Sequence, residues 1–503
     1  MTRTVPSVAR LSRRVLLAAA AVPMLPAIAR AQPIRPVTVG QPFLANGTDP
    51  GRGSNGWALT SHGVGETLFR LGEDGRVVPH LAAGVQRLEA LRWRVTLRDG
   101  VRFSDGEPMD AAEMVRHFTR QIEVFAPSRA TLGRAGFVAV DRLTFDITTE
   151  RAVARMAPTL AEWPLIVARQ AAADRFAYTG PWQVTALTGD AQMQLVPNPH
   201  HPAAPNLPPV TIRRFSDPQA MALAFEGGEL DLAFQVPVET LPRLGRRAGA
   251  RTESITGGYQ YYLEIHCGRP PFDDVRVRRA ISLALDPGAL VRAARGGAVP
   301  VGLFSPEFPF TLNQPHRNDA AEANRLLDAA GWTRGRDGIR QMDARRLVFG
   351  VAVPVNWPDL VVHAPVMRQM LQAVGIAMEP RQIEAFLPAA ESGAHDAIIR
   401  TTHSAPGGDP AFRLNDGFRT GGARNYARYS SPELDALLTR LDAAEDGEAV
   451  IELAREAQRL LLRDVPTVVL AVAPFHMAFG QRLAGYRVWG ADYFILRDDL
   501  RLA

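Results

Sequence analysis

The chain has 503 residues, 46% of them hydrophobic and 22% charged, enough apolar material for a large core and more than one domain. Its formal net charge is +5, and all 57 basic residues are arginine, dispersed along the chain rather than gathered on one reading helix, so nucleic-acid binding is not implied. The single cysteine, Cys267, excludes an intrachain disulfide framework and a cysteine-built metal cluster, and reads as a buried thiol.

Residues 1–31 join a basic start (Arg3, Arg10, Arg13, Arg14) to an apolar run and Ala29-Arg30-Ala31, the three-part pattern of a cleaved secretory signal. Ser12-Arg13-Arg14-Val15-Leu16-Leu17 has the form of a twin-arginine export signal. No cysteine follows for lipid attachment, so a soluble periplasmic protein is expected.

Pro36 to Phe43 predicts a first strand. Gly51-Arg52-Gly53-Ser54-Asn55-Gly56 has the spacing of a dinucleotide loop, but no acidic residue follows in a βαβ unit, and it reads as a plain loop. Trp93, Val95 and Leu97 alternate with Arg92, Arg94, Thr96 and Arg98, the period of a half-buried strand. Asp99-Gly100 predicts a hairpin turn into a return strand at Val101 and Phe103. Asp110, with Glu113 three residues later, predicts a capped helix that buries Met114, Val115, Phe118 and Ile122. Arg142 to Glu150 alternates as another strand, and His200-His201 reads as a surface loop because neighbouring side chains on an extended chain point apart. Asp217 to Phe234 predicts a capped helix, a Gly-Gly stop and a strand.

Around Tyr259 to Ile265 the chain is expected to cross into a second half. Val277, Ile281, Ala284 and Leu285 share one helical face; further helices are expected over residues 318–332, at Val366 to Ile376, from Leu434 to Leu441 and at Val450 to Leu462. Strands alternating with helices give an α/β class. There is no H-E-x-x-H, G-x-S-x-G or P-loop, so nothing here implies a hydrolase.

Several of these stretches, in the same order, resemble the peptide/nickel solute-binding proteins of family 5 that feed ABC transporters. They are LRWRVTLRDGVRFSDGEPMD at 91–110, TGPW at 179–182, residues 217–234, FDDVRVRRAISLALDPGALV at 272–291, residues 318–332 and residues 423–466. The resemblance implies a two-lobed periplasmic-binding-protein fold (type II, the large peptide/nickel-binding class) with a hinge between the lobes. Lobe one would cover 32–258, with an extra subdomain at about 55–175; lobe two would cover 259–474, and 475–503 would return to lobe one. It implies a non-catalytic, monomeric component of an ABC importer that hands a small peptide-like or metal-chelate ligand to permease subunits in the inner membrane. No cofactor is required, and nickel enters only within a transported chelate. A ligand-binding sensor serving a chemoreceptor or kinase is the alternative on the same fold, and a secreted hydrolase is a further one.

The ligand-binding residues that follow from the resemblance are Arg129, Trp163, Tyr261, Tyr262, Arg400, His403, Asn425 and Tyr426. In the loop from Arg400 to Pro410, Pro406 stands where peptide-binding relatives place an ammonium-holding aspartate, and the loop is nearest to the nickel-binding branch. Arg129 matches that branch's arginine for a chelate carboxylate, while its second arginine falls near Trp163. The branch's metal-touching histidine falls near Gly421 or Gly422, which leaves His403 as the candidate metal ligand, against a role in the loop's own hydrogen bonds. For Arg129 and Arg400 the alternative is a structural ion pair, and for the three tyrosines it is core or hinge packing.

Overall fold

Two long strands, Arg251–Ile265 and Thr467–Phe479, run antiparallel through the middle of a ten-stranded sheet. The computed structural model describes residues 35–503 except 356, 446, 490 and 491, together with Thr2; the expected export segment otherwise lies outside the described residues. On one side of the long pair the sheet continues through Leu232–Phe234, Val37–Gln41, Val210–Arg214, Gln192–Pro197 and Trp182–Thr188. On the other it continues through Ala397–His403, Val348–Pro354 and Ala377–Ile383.

The register of the long pair shifts twice, with a wide break near its centre and a second shift between Tyr261 and Tyr262. Pairing runs from Arg251↔Phe479 to Thr256↔Pro474, stops, and resumes from Gln260↔Val472 to Glu264↔Thr467. Gly257 and Gly258 occupy the gap, where Pro474 offers no N–H to a ladder. Gly258 has φ +65°, and a Cβ there would stand 2.1 Å from His403 Nε2, so this position needs glycine for both conformation and space.

Side chains on the two sides of the break enter different cores. Phe475, Met477 and Phe479 pack with Val37, Val39, Trp182 and Ile212 in lobe one. Beyond the break, Tyr261, Leu263 and Ile265 pack with Val277, Ile281, Leu290, Leu360 and Met367 in lobe two. Successive strand residues face opposite ways, so Tyr262 enters the other layer, against Leu414, Phe418, Leu434, Leu438 and Leu461. These come from the helices Pro410–Phe418, Pro432–Ala443 and Gly447–Asp464.

A third core lies under a four-stranded sheet ordered Ala82–Glu89, Arg92–Leu97, Thr144–Thr149 and Ala135–Ala139. Helix Ala111–Val124 covers it, with Phe118 on Phe137 and Phe145. Asp110 caps this helix, its carboxylate accepting the Glu113 N–H at 2.8 Å. The expected return strand at Val101 and Phe103 does not form. Both edges of Arg92–Leu97 are already taken by Ala82–Glu89 and Thr144–Thr149, so Arg102 makes only an isolated bridge to Pro108 and Phe103 becomes a fully buried plug. The helix expected from Val366 begins eight residues earlier, as Pro358–Ala373, and runs through Pro365. Cys267 is half-buried rather than buried, and burial pushes its thiol up to about 11. Among the described residues no helix is long and apolar enough to cross a membrane.

Candidate ligand-binding site between the lobes

The lobes touch through a small set of directed polar contacts. Arg155, from the four-stranded subdomain side, forks onto Asp409 of lobe two, with Nε donating at 2.7 Å and Nη2 at 3.1 Å. Its Nη1 donates to the carbonyls of Leu441 (2.8 Å) and Ala444 (2.7 Å), at the end of helix Pro432–Ala443 where intrahelical partners run out. Glu162, also from the lobe-one side, accepts the Gly407 N–H at 2.9 Å. A Cβ on Gly407 would stand 2.4 Å from that carboxylate oxygen, so only glycine admits the contact. Arg87 pairs with Glu445 on the same front.

Behind these contacts the lobes bury a group of aromatic and ionisable side chains. His403 sits edge-on to Tyr259 (5.1 Å), Tyr493 (5.3 Å) and Phe308 (6.1 Å). Its Nδ1 accepts the Ala405 N–H at 3.2 Å, which leaves the proton of the neutral ring on Nε2. Burial holds the ring neutral, with its pKa lowered to about 3. Tyr259 donates to Asp492 at 3.2 Å, and burial pushes the Asp492 carboxyl up to about 7. Burial likewise pushes Glu162 up to about 8, the Gly407 N–H opposing this and Asp409 adding to it. Glu162 Oε2 and Asp492 Oδ1 are buried without a hydrogen-bond partner among the described residues.

Five residues further along the strand from Tyr259, Glu264 is 2% exposed and receives two arginines: Arg413 at 2.8 Å and Arg400 at 3.4 Å. Arg413 lies over Tyr262 and Phe418, and Arg400 over Phe386 and Tyr426. Two guanidiniums share one carboxylate, so this wall carries an excess positive charge suited to an anionic group.

The eight residues singled out in the sequence fall into two groups. Arg400 and Tyr426 stand in this wall, His403 stands with Tyr259 and Tyr493 in the aromatic group, and Trp163 directly follows Glu162, half-buried with its ring edge-on to Phe125. The other four are engaged in holding the fold. Arg129 turns its Nη1 onto the carbonyls of Ile122 (2.8 Å) and Glu123 (2.7 Å), closing the end of helix Ala111–Val124, where unpaired carbonyls attract a cation. Tyr261 donates to Asp359 at 2.7 Å inside the lobe-two core, and Tyr262 donates to the Leu303 carbonyl at 2.8 Å. Asn425 staples its loop, donating to the carbonyls of Arg419 and Tyr429 and accepting the Tyr429 N–H. For His403 as a metal ligand, the Ala405 bond is the obstacle: Nε2 can offer a lone pair only if Nδ1 takes the proton and gives up that bond. Among the described residues no three metal-ligating side chains converge. Glu162, Asp492, Tyr493, Glu264, Arg413 and the Arg155–Asp409 fork carry no local sequence signal for these roles.

Two lobes joined by a broken strand pair, closed over buried charge and aromatic surface, define a binding protein that encloses a small solute. Residues 76–424 match the bacterial extracellular solute-binding proteins, family 5 (middle region). That is well over half of the chain, and the chain belongs to this family. It is similar to the glutathione-binding protein GsiB of Salmonella paratyphi A, 25% identical over 462 residues, 86% of this chain and 88% of the relative. Its fold is similar to that of NikA from Brucella suis in complex with Fe(III)-EDTA, with TM-score 0.84 and 21% identity over 93% of this chain and 100% of that one. It is also similar to the oligopeptide-binding protein AppA from Bacillus subtilis in complex with a nonapeptide, with TM-score 0.74 and 17% identity over 93% and 99%. Proteins of this family serve ABC importers, delivering a captured solute to a membrane permease, and membership favours import over the sensor and hydrolase alternatives.

Proposed function

We propose that this protein is the exported, soluble, monomeric binding component of an importer for a small peptide-like solute bearing carboxylate groups. The observation that carries the reading is a set of under-satisfied buried ionisable groups: Glu162 and Asp492 each keep one carboxyl oxygen without a partner among the described residues, and Arg400 and Arg413 share the single carboxylate of Glu264. A solute with both an anionic and a cationic end matches that arrangement, and the likeness to a glutathione-binding relative supports it. The lobe boundaries near residues 258 and 474, the hinge at Gly257-Gly258, the extra subdomain and a periplasmic location are part of this proposal. A metal chelate is the second reading, favoured by the same arginine wall, because a chelator's carboxylates fit it equally.

A thermal-shift screen separates the two. A solute that binds only the folded protein raises its Tm by mass action, by an amount set by about 2.7 kcal/mol at a hundredfold excess over Kd. Glutathione or dipeptides are expected to raise it. A rise confined to nickel with histidine would replace the peptide reading by the chelate one.

A further inference from the structure

Gly258 stands in the gap of the long pair, without a partner from strand Thr467–Phe479, yet both of its backbone groups are held. Its carbonyl accepts the Ser404 N–H at 2.7 Å and the Ser404 hydroxyl at 2.8 Å. The Ser404 oxygen in turn accepts the Ser305 N–H at 3.2 Å. The Gly258 N–H donates to the carboxylate of Glu307. A backbone group at a break in a sheet must find a partner somewhere. Here every partner comes from lobe two, so lobe two fixes the Gly257–Gly258 peptide, on the hinge itself.

Glu307 is an exposed residue that makes no ion pair among the described residues, and its carboxylate has the Gly258 N–H as its hydrogen-bond partner. A charged acceptor holds an N–H more firmly than a neutral one does. The same residue meets lobe one through its backbone. Gly75 lies at the turn between strands Phe69–Leu71 and Val77–Pro79, and a Cβ there would stand 2.8 Å from the Glu307 carbonyl oxygen. Gly408 of lobe two seats the same hairpin from the other side, since its Cβ would stand 2.9 Å from both Leu71 and Val77. Phe308, next in the chain, is 2% exposed and stacks on Phe310 at 5.2 Å, which anchors this loop in the lobe-two core. Glu307 therefore touches the hinge with its side chain and the opposite lobe with its backbone.

We propose that Glu307 is a positioning residue for lobe closure. Its carboxylate holds the Gly257–Gly258 peptide at the angle of the closed lobes, and the turn at Gly75, seated on its backbone, keeps it there only while the lobes are together. The inference rests on the closing-lobe reading above and adds the group that couples the hinge to the face where the lobes meet. When the lobes part, the seat is lost and the hinge peptide bends with one restraint fewer. Whatever brings the lobes together restores the bond, so its free energy enters capture through the closed state.

The test is a spin-label distance measurement between the lobes, alone and with glutathione. Cys267→Ser removes the native thiol, and Leu223→Cys in lobe one and Leu387→Cys in lobe two, 57% and 53% exposed, take the labels. In this background Glu307→Ala is expected to lower the ratio of closed to open molecules about tenfold, the scale of one hydrogen bond to a charged group. Its Tm is expected to stay near that of the background, because the side chain fills no core. Glu307→Gln keeps a carbonyl acceptor for the Gly258 N–H and is expected to recover the ratio to within about threefold. Gly75→Ala, which crowds the seat and leaves the carboxylate in place, is expected to shift the ratio in the same direction as Glu307→Ala. A Glu307→Ala ratio equal to that of the background, or Gln no better than Ala, overturns the role of Glu307 while leaving closure intact. A background protein that binds glutathione with no change in label distance overturns closure and this inference together. If glutathione does not bind, the peptide-like reading falls, and the solute-free ratios still decide the role of Glu307.

Discussion

Glu264→Ala is expected to be the most damaging single substitution in lobe two, lowering the unfolding free energy by about 3–5 kcal/mol, the cost of breaking a buried ion pair from one side. Glu264 sits on the long strand Arg251–Ile265, 2% exposed, and is the shared carboxylate of Arg413 and Arg400. Burial works against both guanidiniums. Arg413, with the shorter contact, keeps its proton more firmly than usual, whereas Arg400, with the longer contact and Arg413 beside it, is weakened. Removing the carboxylate leaves two buried positive charges held chiefly by aromatic faces, which contribute about 0.5–2 kcal/mol each, with Asp416 adding its attraction for Arg413 alone. The asymmetry gives an internal check. Arg413→Met leaves a one-to-one pair of Arg400 with Glu264, so it is expected to cost clearly less than Glu264→Ala. Urea unfolding of the three proteins measures this; a Glu264→Ala protein within about 1 kcal/mol of wild type would mean that water, not Glu264, compensates the arginines.

Arg155→Met is expected to leave the lobes folded but to weaken solute binding by about thirtyfold or more, chiefly by faster release. Arg155 makes four hydrogen bonds to lobe two, two to Asp409 and two to the end of helix Pro432–Ala443, and its side chain is only 14% exposed. All four form only when the lobes are together, so their free energy enters binding through closure. Methionine keeps much of the stem's apolar contact while removing the fork. Arg155 is the better partner to change, because Asp409 also caps helix Pro410–Phe418 by accepting the Ala411 N–H at 2.8 Å, and its loss would mix closure with helix stability. Stopped-flow release of a bound solute gives the rate; an unchanged koff would assign the fork to fixing the subdomain rather than to closure.

How much of this was legible in the sequence depends on the range of the interaction. Asp110 with Glu113, and Trp93, Val95 and Leu97, are local patterns, and the helix and strand they predict are present. The hairpin after Leu97 failed because a turn signal says nothing about which edges of a strand are already occupied, and these were taken by the preceding strand Ala82–Glu89 and by Thr144–Thr149 further along the chain. Pro365 hid the first turns of helix Pro358–Ala373. At the site, the loop from Arg400 to Pro410 stands out in the sequence, but the partners that meet it from distant segments are invisible there. Glu162 meets Gly407 from 245 positions away, and Arg155 meets Asp409 from 254. Glu162 was passed over although its neighbour Trp163 was named, since a glutamate before a turn is ordinary until something buries it. Arg129 shows the converse: a position matched by resemblance carries no information on where its guanidinium turns, and the nearest unpaired carbonyls claimed it.

The central claim is that the two lobes close over one small solute, with Gly257-Gly258 and Pro474 as the place where the long strands give way. Small-angle X-ray scattering of the protein, alone and saturated with glutathione, tests it most directly. Contraction of the radius of gyration on adding solute, diminished in Arg155→Met, is the expected result. A wild-type protein that binds the solute calorimetrically with no change in scattering would contradict closure as the mode of capture.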